Sequence, residues 1–302
     1  MPENVIEKSL ARFVDRRNEL SSFCEMISGG THPVMVISGP SAIGKSSLLI
    51  RLVDECLRQG VVCVEVNCKE TRNSNYQKIM VGIADQLGKE HFQHFLNLVN
   101  HFANPRRNQM ADIPAIKIQG DVVVGEVNPG AVVAGVVIEK VIAMPGLEIS
   151  VPEADRIAPL TDRFLADLEP LLAKHPIVFC FDQLDNATTE TRNWIWEELL
   201  RPLRRGRGLP GARFVICVQG SPALEAEIGD LRLIIKRADL SPLGDGDIAE
   251  YLARRAGSSR TEDEFYRLAE AIYVKTKGIP GEVVSYADAI DRHREKKGAS
   301  AR

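Results

Sequence analysis

A glycine-rich octapeptide near the N-terminus constrains the fold of this chain more than any other feature. Residues 39–46 spell Gly-Pro-Ser-Ala-Ile-Gly-Lys-Ser, between an apolar run at 34–38 and an amphipathic stretch at 47–56. A turn of this kind between a strand and a helix points its backbone N–H groups inward, and the helix dipole adds positive potential. The segment therefore predicts a phosphate-binding loop, or P-loop.

The P-loop residues have distinct expected parts in binding a nucleotide. Lys45 is expected to reach the β- and γ-phosphates, and the Ser46 hydroxyl is expected to ligate Mg²⁺. The predicted nucleotide-binding residues here are Gly39, Pro40, Ser41, Ala42, Ile43, Gly44, Lys45, Ser46 and Ser47. The expected ligands are therefore ATP or ADP together with Mg²⁺.

Composition and charge exclude several classes of protein. The chain has 302 residues, 44% of them hydrophobic and 26% charged, which is typical of a soluble globular protein. Its formal net charge of −3 gives no overall attraction to nucleic acid. Its cysteines form no CxxC pair, and the chain has neither an apolar signal segment nor a long apolar window. We expect a cytoplasmic protein with reduced thiols that does not span a membrane.

Short apolar runs alternate with helical patterns along much of the chain. The runs lie at 34–38, 61–66, 177–181, 214–218 and 231–235. Such runs between helices are typical of buried parallel strands. The sequence therefore predicts an α/β fold, a P-loop NTPase with a doubly wound parallel sheet and a ligand site at the carboxyl ends of its strands.

Three regions are predicted along the chain. They are an N-terminal helix with a nucleotide box at 1–33, a P-loop NTPase domain at 34–242, and a helical lid at 243–302. In the lid, Pro280 suits the start of a helix that runs through Ile290, and the charged tail from Arg292 is expected to fray.

An insertion at about 106–155 interrupts the predicted NTPase domain. Residues 120–127 and 130–137 both follow the pattern Gly-x-Val-Val-x-Gly-x-Val, which predicts a β-rich hairpin. The hairpin either packs on its own domain or exposes strand edges that bind another protein by strand addition.

A second motif ends a predicted strand in an acid. The apolar run at 177–181 precedes Asp182, and Asp185 follows three residues later. The strand would carry Asp182 to the P-loop, where its carboxylate can hold the Mg²⁺ water shell opposite Ser46. Asp185 is then the candidate base. Gln183 takes the position at which many hydrolases have a second acid, and an amide orients water without accepting a proton, which predicts slow hydrolysis.

Short motifs in order around the P-loop resemble those of the STAND-type signalling ATPases, a branch related to AAA+ proteins. Residues 13–20 resemble the N-terminal F-x-G-R-x-x-E-L box, with Asp15 in place of its glycine. Residues 240–243, Leu-Ser-Pro-Leu, resemble the entry to the helical lid, and 277–280 resemble its G-x-P motif. The resemblance implies nucleotide contacts from Phe13, Val14, Arg16 and Pro280.

The sequence departs from this family pattern in two ways. The family commonly has an arginine after the fourth strand that senses the γ-phosphate, whereas 218–222 contain none, so Gln219 is the candidate sensor. The family's winged-helix segment and C-terminal repeat sensor are also missing. The resemblance therefore implies a core module that works with a separate protein effector or sensor chain.

Three functions follow as alternatives, one of which is a phosphotransferase that uses the same loop on a small acceptor, although the sequence contains no acceptor-binding motif. The resemblance implies a signalling switch that binds ATP and Mg²⁺, with the nucleotide controlling lid position and association with a partner or with itself as a homo-oligomer. The other alternative is a DNA-associated AAA+ ATPase of the loader or transposition type that uses the basic stretch 201–213. If the chain does not bind DNA, the same stretch is expected to be a solvated loop, or a subunit interface that offers an arginine to a neighbour's γ-phosphate.

Overall fold

The computed structural model describes residues 3–70, 75–103, 153–205, 209–220, 228–256 and 262–300. The predicted β-rich insertion at 106–155, with both of its repeats, lies outside these residues except for 153–155, which begin a helix.

Five parallel strands form the central sheet. They are β1 (Val34–Ser38), β2 (Val62–Asn67), β3 (Ile177–Asp182), β4 (Ala212–Val218) and β5 (Ile235–Asp239). Their order across the sheet is β2-β3-β4-β1-β5, and every pairing is parallel. The predicted α/β fold with a parallel sheet is therefore confirmed, and all the carboxyl ends lie at one edge.

Helices cover both faces of this sheet and form the C-terminal layer. They are α1 (Glu3–Ala11), α2 (Arg17–Ile27), α3 (Lys45–Gln59), α4 (Tyr76–Leu87), α5 (Gln93–Ala103), α6 (Glu153–Leu172), α7 (Thr189–Asn193), α8 (Arg201–Arg204), α9 (Asp245–Ala256), α10 (Glu262–Thr276) and α11 (Pro280–Ser300). A π-helical segment, Trp194–Leu200, joins α7 to α8. Within the described ranges, no helix is both long and apolar enough to cross a membrane.

Alternate side chains of the central strands serve two separate cores. Val36 and Phe181 lie in the core beneath α4, α5 and α6, whereas Ile37 and Cys180 lie in the core beneath α2 and α3. Every residue of β1 and β3 is buried. Burial on both faces explains why these strands are continuous apolar runs in the sequence.

One predicted strand is wrong in position. The apolar run at 231–235 falls mostly on a 3₁₀ turn, Gly229–Leu233, and β5 follows it. β5 is an edge strand in which Lys236 and Arg237 are exposed. Edge strands commonly carry such charges, so β5 lacks the apolar signature of the inner strands.

The lid helices α9, α10 and α11 pack around an apolar core of their own. It consists mainly of Leu243, Ile248, Leu252, Phe265, Ala269, Ile272, Val283 and Ala287. Val14, from the segment between α1 and α2, lies in the same core. The N-terminal segment therefore packs directly with the lid.

The last helix extends further than the sequence predicts. α11 continues to Ser300, whereas the tail from Arg292 is predicted to fray. This tail is rich in Arg, Glu and Lys, which have high helix propensity. The structure therefore continues the helix through this tail, and its fraying stays a prediction.

Candidate nucleotide-binding site

The P-loop joins β1 to α3 at the carboxyl edge of the sheet. A Cβ atom on Gly39 would lie 2.9 Å from Cγ2 of Ile43, so the turn requires glycine there. Ala42 has a φ of 64°, which residues other than glycine rarely adopt. Backbone strain of this kind concentrates at functional sites.

Lys45 lies inside the loop that precedes it. Its Nζ donates hydrogen bonds to the carbonyl oxygens of Gly39, at 2.7 Å, and Pro40, at 2.9 Å. Burial lowers the pKa of Lys45, against the opposing influence of Cys217, Asp185 and Asp182. Hydrogen bonds from an ammonium to phosphate oxygens are stronger than those to carbonyls. A phosphate group placed in this loop would therefore compete for the amine.

Ser46 and Asp182 meet at the start of α3 and the end of β3. The Ser46 hydroxyl donates a 2.8 Å hydrogen bond to Oδ2 of Asp182. The other carboxylate oxygen, Oδ1, is buried and has no donor among the described residues. Hydroxyl and carboxylate oxygens are ligands that Mg²⁺ prefers, directly or through water. The pair therefore fits the predicted Mg²⁺ site.

The part of the chain that the structure describes contains no cluster of three His, Cys, Asp or Glu side chains that could hold a metal ion. Sites for Mg²⁺ commonly use one or two protein oxygens together with phosphates and water. The Ser46–Asp182 pair is consistent with that kind of site and not with an all-protein metal cage.

Asp185, the candidate base, contacts the next strand of the sheet. Its Oδ2 accepts a 2.7 Å hydrogen bond from the backbone N–H of Gln219, the candidate sensor, just after β4. The structure therefore brings these two predicted residues together. In this arrangement the carboxylate fastens the end of β4 to the turn after β3.

Gln183 lies beside the acid of the predicted metal site. Its φ is 55°, and its side-chain Nε2 donates to Oδ2 of Asp182 at 3.5 Å. Asn186 donates through Nδ2 to the Gln183 carbonyl, at 3.4 Å. A neutral amide thus lies next to Asp182, at the position where the sequence analysis places a water-orienting group.

A cleft of about 420 Å³ lies between the P-loop, the N-terminal segment and the lid. The predicted nucleotide-binding residues along it are Phe13, Val14, Arg16, Ile43, Gly44, Ser47 and Pro280. A larger cavity, of about 590 Å³, lies between β2 and α4 and contains none of the predicted residues. The first cleft is the better candidate because it continues directly from the P-loop.

The Arg16 side chain is almost fully buried, at 4% exposure, and contacts main-chain carbonyls. Its Nη2 donates to the carbonyl oxygens of Ser241, at 2.6 Å, and Ile43, at 3.4 Å. Arg16 therefore connects the P-loop to the segment that enters the lid. These contacts give it a positioning role at the edge of the cleft.

The start of α11 contacts the P-loop directly. The backbone N–H of Gly281 donates a 2.9 Å hydrogen bond to the carbonyl of Ala42. A Cβ on Gly278 would lie 2.1 Å from the Leu243 carbonyl oxygen, which explains the glycine of the G-x-P motif. The motif thus brings Pro280 to the cleft beside Gly44.

The basic stretch is largely paired with acids and carbonyls. Arg201 donates to Glu197, at 2.7 Å, and to Asp230, at 3.2 Å, and Arg204 also pairs with Asp230. Arg213 donates to the Met26 carbonyl at 3.0 Å. Arg207 lies outside the described residues. These contacts reduce the positive charge that the stretch offers to a partner.

Several residues along the cleft are not predicted from the sequence. From α1 and its end they are Lys8, Ser9 and Arg12, and from the lid they are Leu243, Tyr251, Val283 and Val284. The spacing of Lys8 and Arg12 places them on one face of a helix, which is the sequence signal that points to them together.

Comparison with known proteins gives a match over most of the sheet domain. The family model described as AAA ATPase domain matches residues 12–216, more than half of the chain. Comparison with the curated proteins gave no match.

Solved structures share this fold at low sequence identity. Cdc6p from Pyrobaculum aerophilum has a TM-score of 0.52 at 15% identity, over 96% of this chain and 64% of that one. Drosophila ORC bound to DNA has a TM-score of 0.51 at 13% identity, over 97% and 61%. A STAND protein with a tetratricopeptide repeat sensor from Pyrococcus horikoshii has a TM-score of 0.43 at 17% identity, over 89% and 28%. The chain spans less than two thirds of each of these proteins.

Proposed function

Because this chain belongs to the AAA ATPase domain family, we propose that it is a nucleotide-controlled switch of the STAND type that acts in the cytoplasm. Family membership agrees with the sequence-based resemblance to AAA+-related P-loop ATPases. The proposed switch binds ATP or ADP with Mg²⁺ between the sheet domain and the lid, and it hydrolyses ATP slowly. Its nucleotide state controls lid position and association with a protein effector, a sensor chain or a second copy.

One contact carries this proposal, the hydrogen bond between Gly281 and Ala42. It joins the backbone of the lid to the backbone of the P-loop at 2.9 Å. A phosphate that rearranges the P-loop would therefore also act on a contact between the P-loop and the lid. A ligand shifts a conformational equilibrium only when it binds the two states differently, and in the proposed switch this contact is kept in one nucleotide state and lost in the other.

The residues that would hold the nucleotide have separate tasks. Lys45 exchanges its carbonyl partners for phosphate oxygens, and Ser46 and Asp182 hold Mg²⁺ with its water. When bound, Mg²⁺ neutralises phosphate charge and favours attack on the terminal phosphate. Phe13, Val14 and Pro280 surround the base.

Slow hydrolysis is supported by the chemistry beside Asp182. Gln183 is an amide, which orients water but takes no proton from it. One oxygen of Asp185 already accepts a hydrogen bond from the Gln219 backbone, so the carboxylate is engaged in fastening β4 as well as facing the site. The site is thus better suited to holding a nucleotide than to rapid turnover.

Thermal unfolding with and without ATP and Mg²⁺ tests this function. We expect the nucleotide to raise the Tm of the wild-type chain and of Lys78→Ala, an exposed control in the other cavity, but not of Lys45→Ala. A shift that persists in Lys45→Ala would contradict the site. Light scattering in ADP and in ATP with Mg²⁺ then measures any change in association.

A DNA-associated ATPase is the second candidate. The fold likeness to Cdc6p and to ORC favours it, since the ORC structure contains DNA. The pairing of Arg201 and Arg204 with acids weighs against it, because neutralised arginines release few counterions from DNA. The DNA-associated function is therefore less well supported than the nucleotide-controlled switch.

A further inference from the structure

Helix α1 forms a wall of the nucleotide cleft, although all of it precedes the matched family region. The family model begins at residue 12, whereas α1 spans Glu3–Ala11. Lys8 and Ser9 from α1, and Arg12 just after it, line the cleft together with Gly44 and Ser47 of the P-loop region. Lys8 and Ser9 therefore lie outside the family model, and Arg12 is its first matched residue.

Arg12 is the chemically unusual member of this wall. It is half-buried, and none of the described residues forms a hydrogen bond or an ion pair with its guanidinium. By contrast, Arg16 and Arg254 both donate to main-chain carbonyls close by. A half-buried guanidinium that no described protein group satisfies keeps its hydrogen-bonding capacity for solvent or for a ligand. The side chain is thus available to a ligand in the cleft.

The other walls determine what kind of ligand fits beside Arg12. Apolar side chains line most of the cleft, namely Phe13, Val14, Ile43, Leu243, Tyr251, Pro280, Val283 and Val284. Because the cleft continues from the P-loop, a nucleotide with its phosphates on the loop extends its base toward these side chains. A flat aromatic base suits both the apolar walls and the planar guanidinium, which stacks on ring faces and donates to ring nitrogens.

We propose that Arg12 recognises the base of a nucleotide in this cleft, with its planar guanidinium stacked on the ring or donating to a ring nitrogen. This inference rests on the proposed function, since it assumes that the P-loop holds the phosphates. It assigns a part in ligand specificity to Arg12, the residue that follows α1. Recognition depends on the planar guanidinium, and not on positive charge alone.

Binding titrations of the full chain with two probes test this assignment. The probes are ATP and inorganic tripolyphosphate, both with Mg²⁺, because tripolyphosphate has no base. We expect Arg12→Ala to weaken ATP binding about tenfold, the scale of a desolvated cation–π contact, and to leave tripolyphosphate binding unchanged. We expect Arg12→Lys, which keeps the positive charge but lacks the planar guanidinium, to weaken ATP binding also. Arg17→Ala, an exposed arginine outside the cleft, is the control and should change neither affinity.

Three results would overturn the assignment. In the first, Arg12→Ala weakens ATP binding no more than Arg17→Ala does. In the second, Arg12→Ala weakens the binding of ATP and of tripolyphosphate by the same factor. In the third, Arg12→Lys binds ATP with the wild-type affinity. Failure of the proposed function is distinguishable, because the wild-type chain would then bind neither probe. Unchanged thermal unfolding of Arg12→Ala without ligand establishes that the variant is folded.

Discussion

Ser46 donates a hydrogen bond to Asp182 across 136 residues of sequence, at 2.8 Å. This contact joins the first turn of the P-loop helix to the end of β3. It brings together the two oxygen ligands that the sequence analysis assigns to Mg²⁺. Several consequences of this geometry can be measured.

Ser46→Ala should remove the Mg²⁺ dependence of nucleotide binding. The substitution deletes the hydroxyl, so the metal loses one of its two expected protein oxygens. We expect the ATP-induced rise in Tm to become nearly the same with Mg²⁺ and with a chelator. Ser21→Ala, on the exposed side of α2, should keep the full difference. An unchanged Mg²⁺ effect in Ser46→Ala would refute this role.

Gln183→Glu should accelerate ATP hydrolysis. A carboxylate beside Asp182 can accept the proton of an attacking water, and general bases of this kind contribute about 10²–10⁴-fold. We expect phosphate release at saturating ATP to rise at least about tenfold. The matched control is Asn186→Asp, which makes the same chemical change in the adjacent turn and should leave the rate unaltered. If both variants hydrolyse at the wild-type rate, Gln183 does not occupy the position of a base.

ATP binding at alkaline pH should take up protons through Lys45. Burial lowers the pKa of this lysine from its usual 10.5. In the free protein a fraction of the Lys45 side chains is therefore neutral at alkaline pH below 10.5. Triphosphate favours the ammonium and raises the pKa again, so binding adds protons. Calorimetry at about pH 9.5 in two buffers of different ionisation enthalpy measures this uptake.

Lys45→Arg provides the control for that measurement, because a guanidinium stays protonated at this pH. Without ligand, the unfolded chain holds more protons on Lys45 than the folded chain between the lowered pKa and 10.5. This group therefore makes stability rise with pH in that window. Equal proton uptake by wild type and Lys45→Arg would show that another group titrates.

Gly281→Ala should uncouple the lid from the P-loop. A Cβ there would lie 2.7 Å from Cβ of Ala42, so the two backbones must separate and their hydrogen bond weakens. We expect a stability loss of about 1–3 kcal/mol and a smaller difference between ADP and ATP in limited proteolysis of the lid. Gly246→Ala has open space around its Cβ and should retain the difference. The coupling role fails if Gly281→Ala behaves like this control.

Duplex DNA should bind only weakly. Arg201 and Arg204 share Asp230, and Arg201 also pairs with Glu197. We expect affinities no tighter than the ~10⁻⁴–10⁻⁶ M of non-specific contacts at physiological salt. Fluorescence anisotropy with a labelled duplex at several salt concentrations measures this. Binding that is much tighter and is lost in Arg201→Ala would favour the DNA-associated candidate instead.

The sequence was most informative about elements that are buried on both sides. β1, β3 and β4 are nearly continuous apolar runs because helices cover both faces of the sheet. β5 lies at an edge and is half polar, so the apolar run that precedes it was the misleading signal. The sequence did not predict that Lys8 and Arg12 line the cleft, because they resemble ordinary surface charges until the cleft beside them is known.

The P-loop and the parallel α/β class are predictable from the sequence, because both depend on neighbouring residues. Glycines at the turn, the lysine and serine that follow, and apolar runs of strand length act over a few residues each. The fold was needed to show that Asp185 holds the Gln219 backbone, that Gly281 contacts Ala42, and that Arg12 lines the cleft with no partner among the residues the structure describes. These relationships join residues from different elements, and packing of the whole chain sets their distances, which sequence separation does not specify.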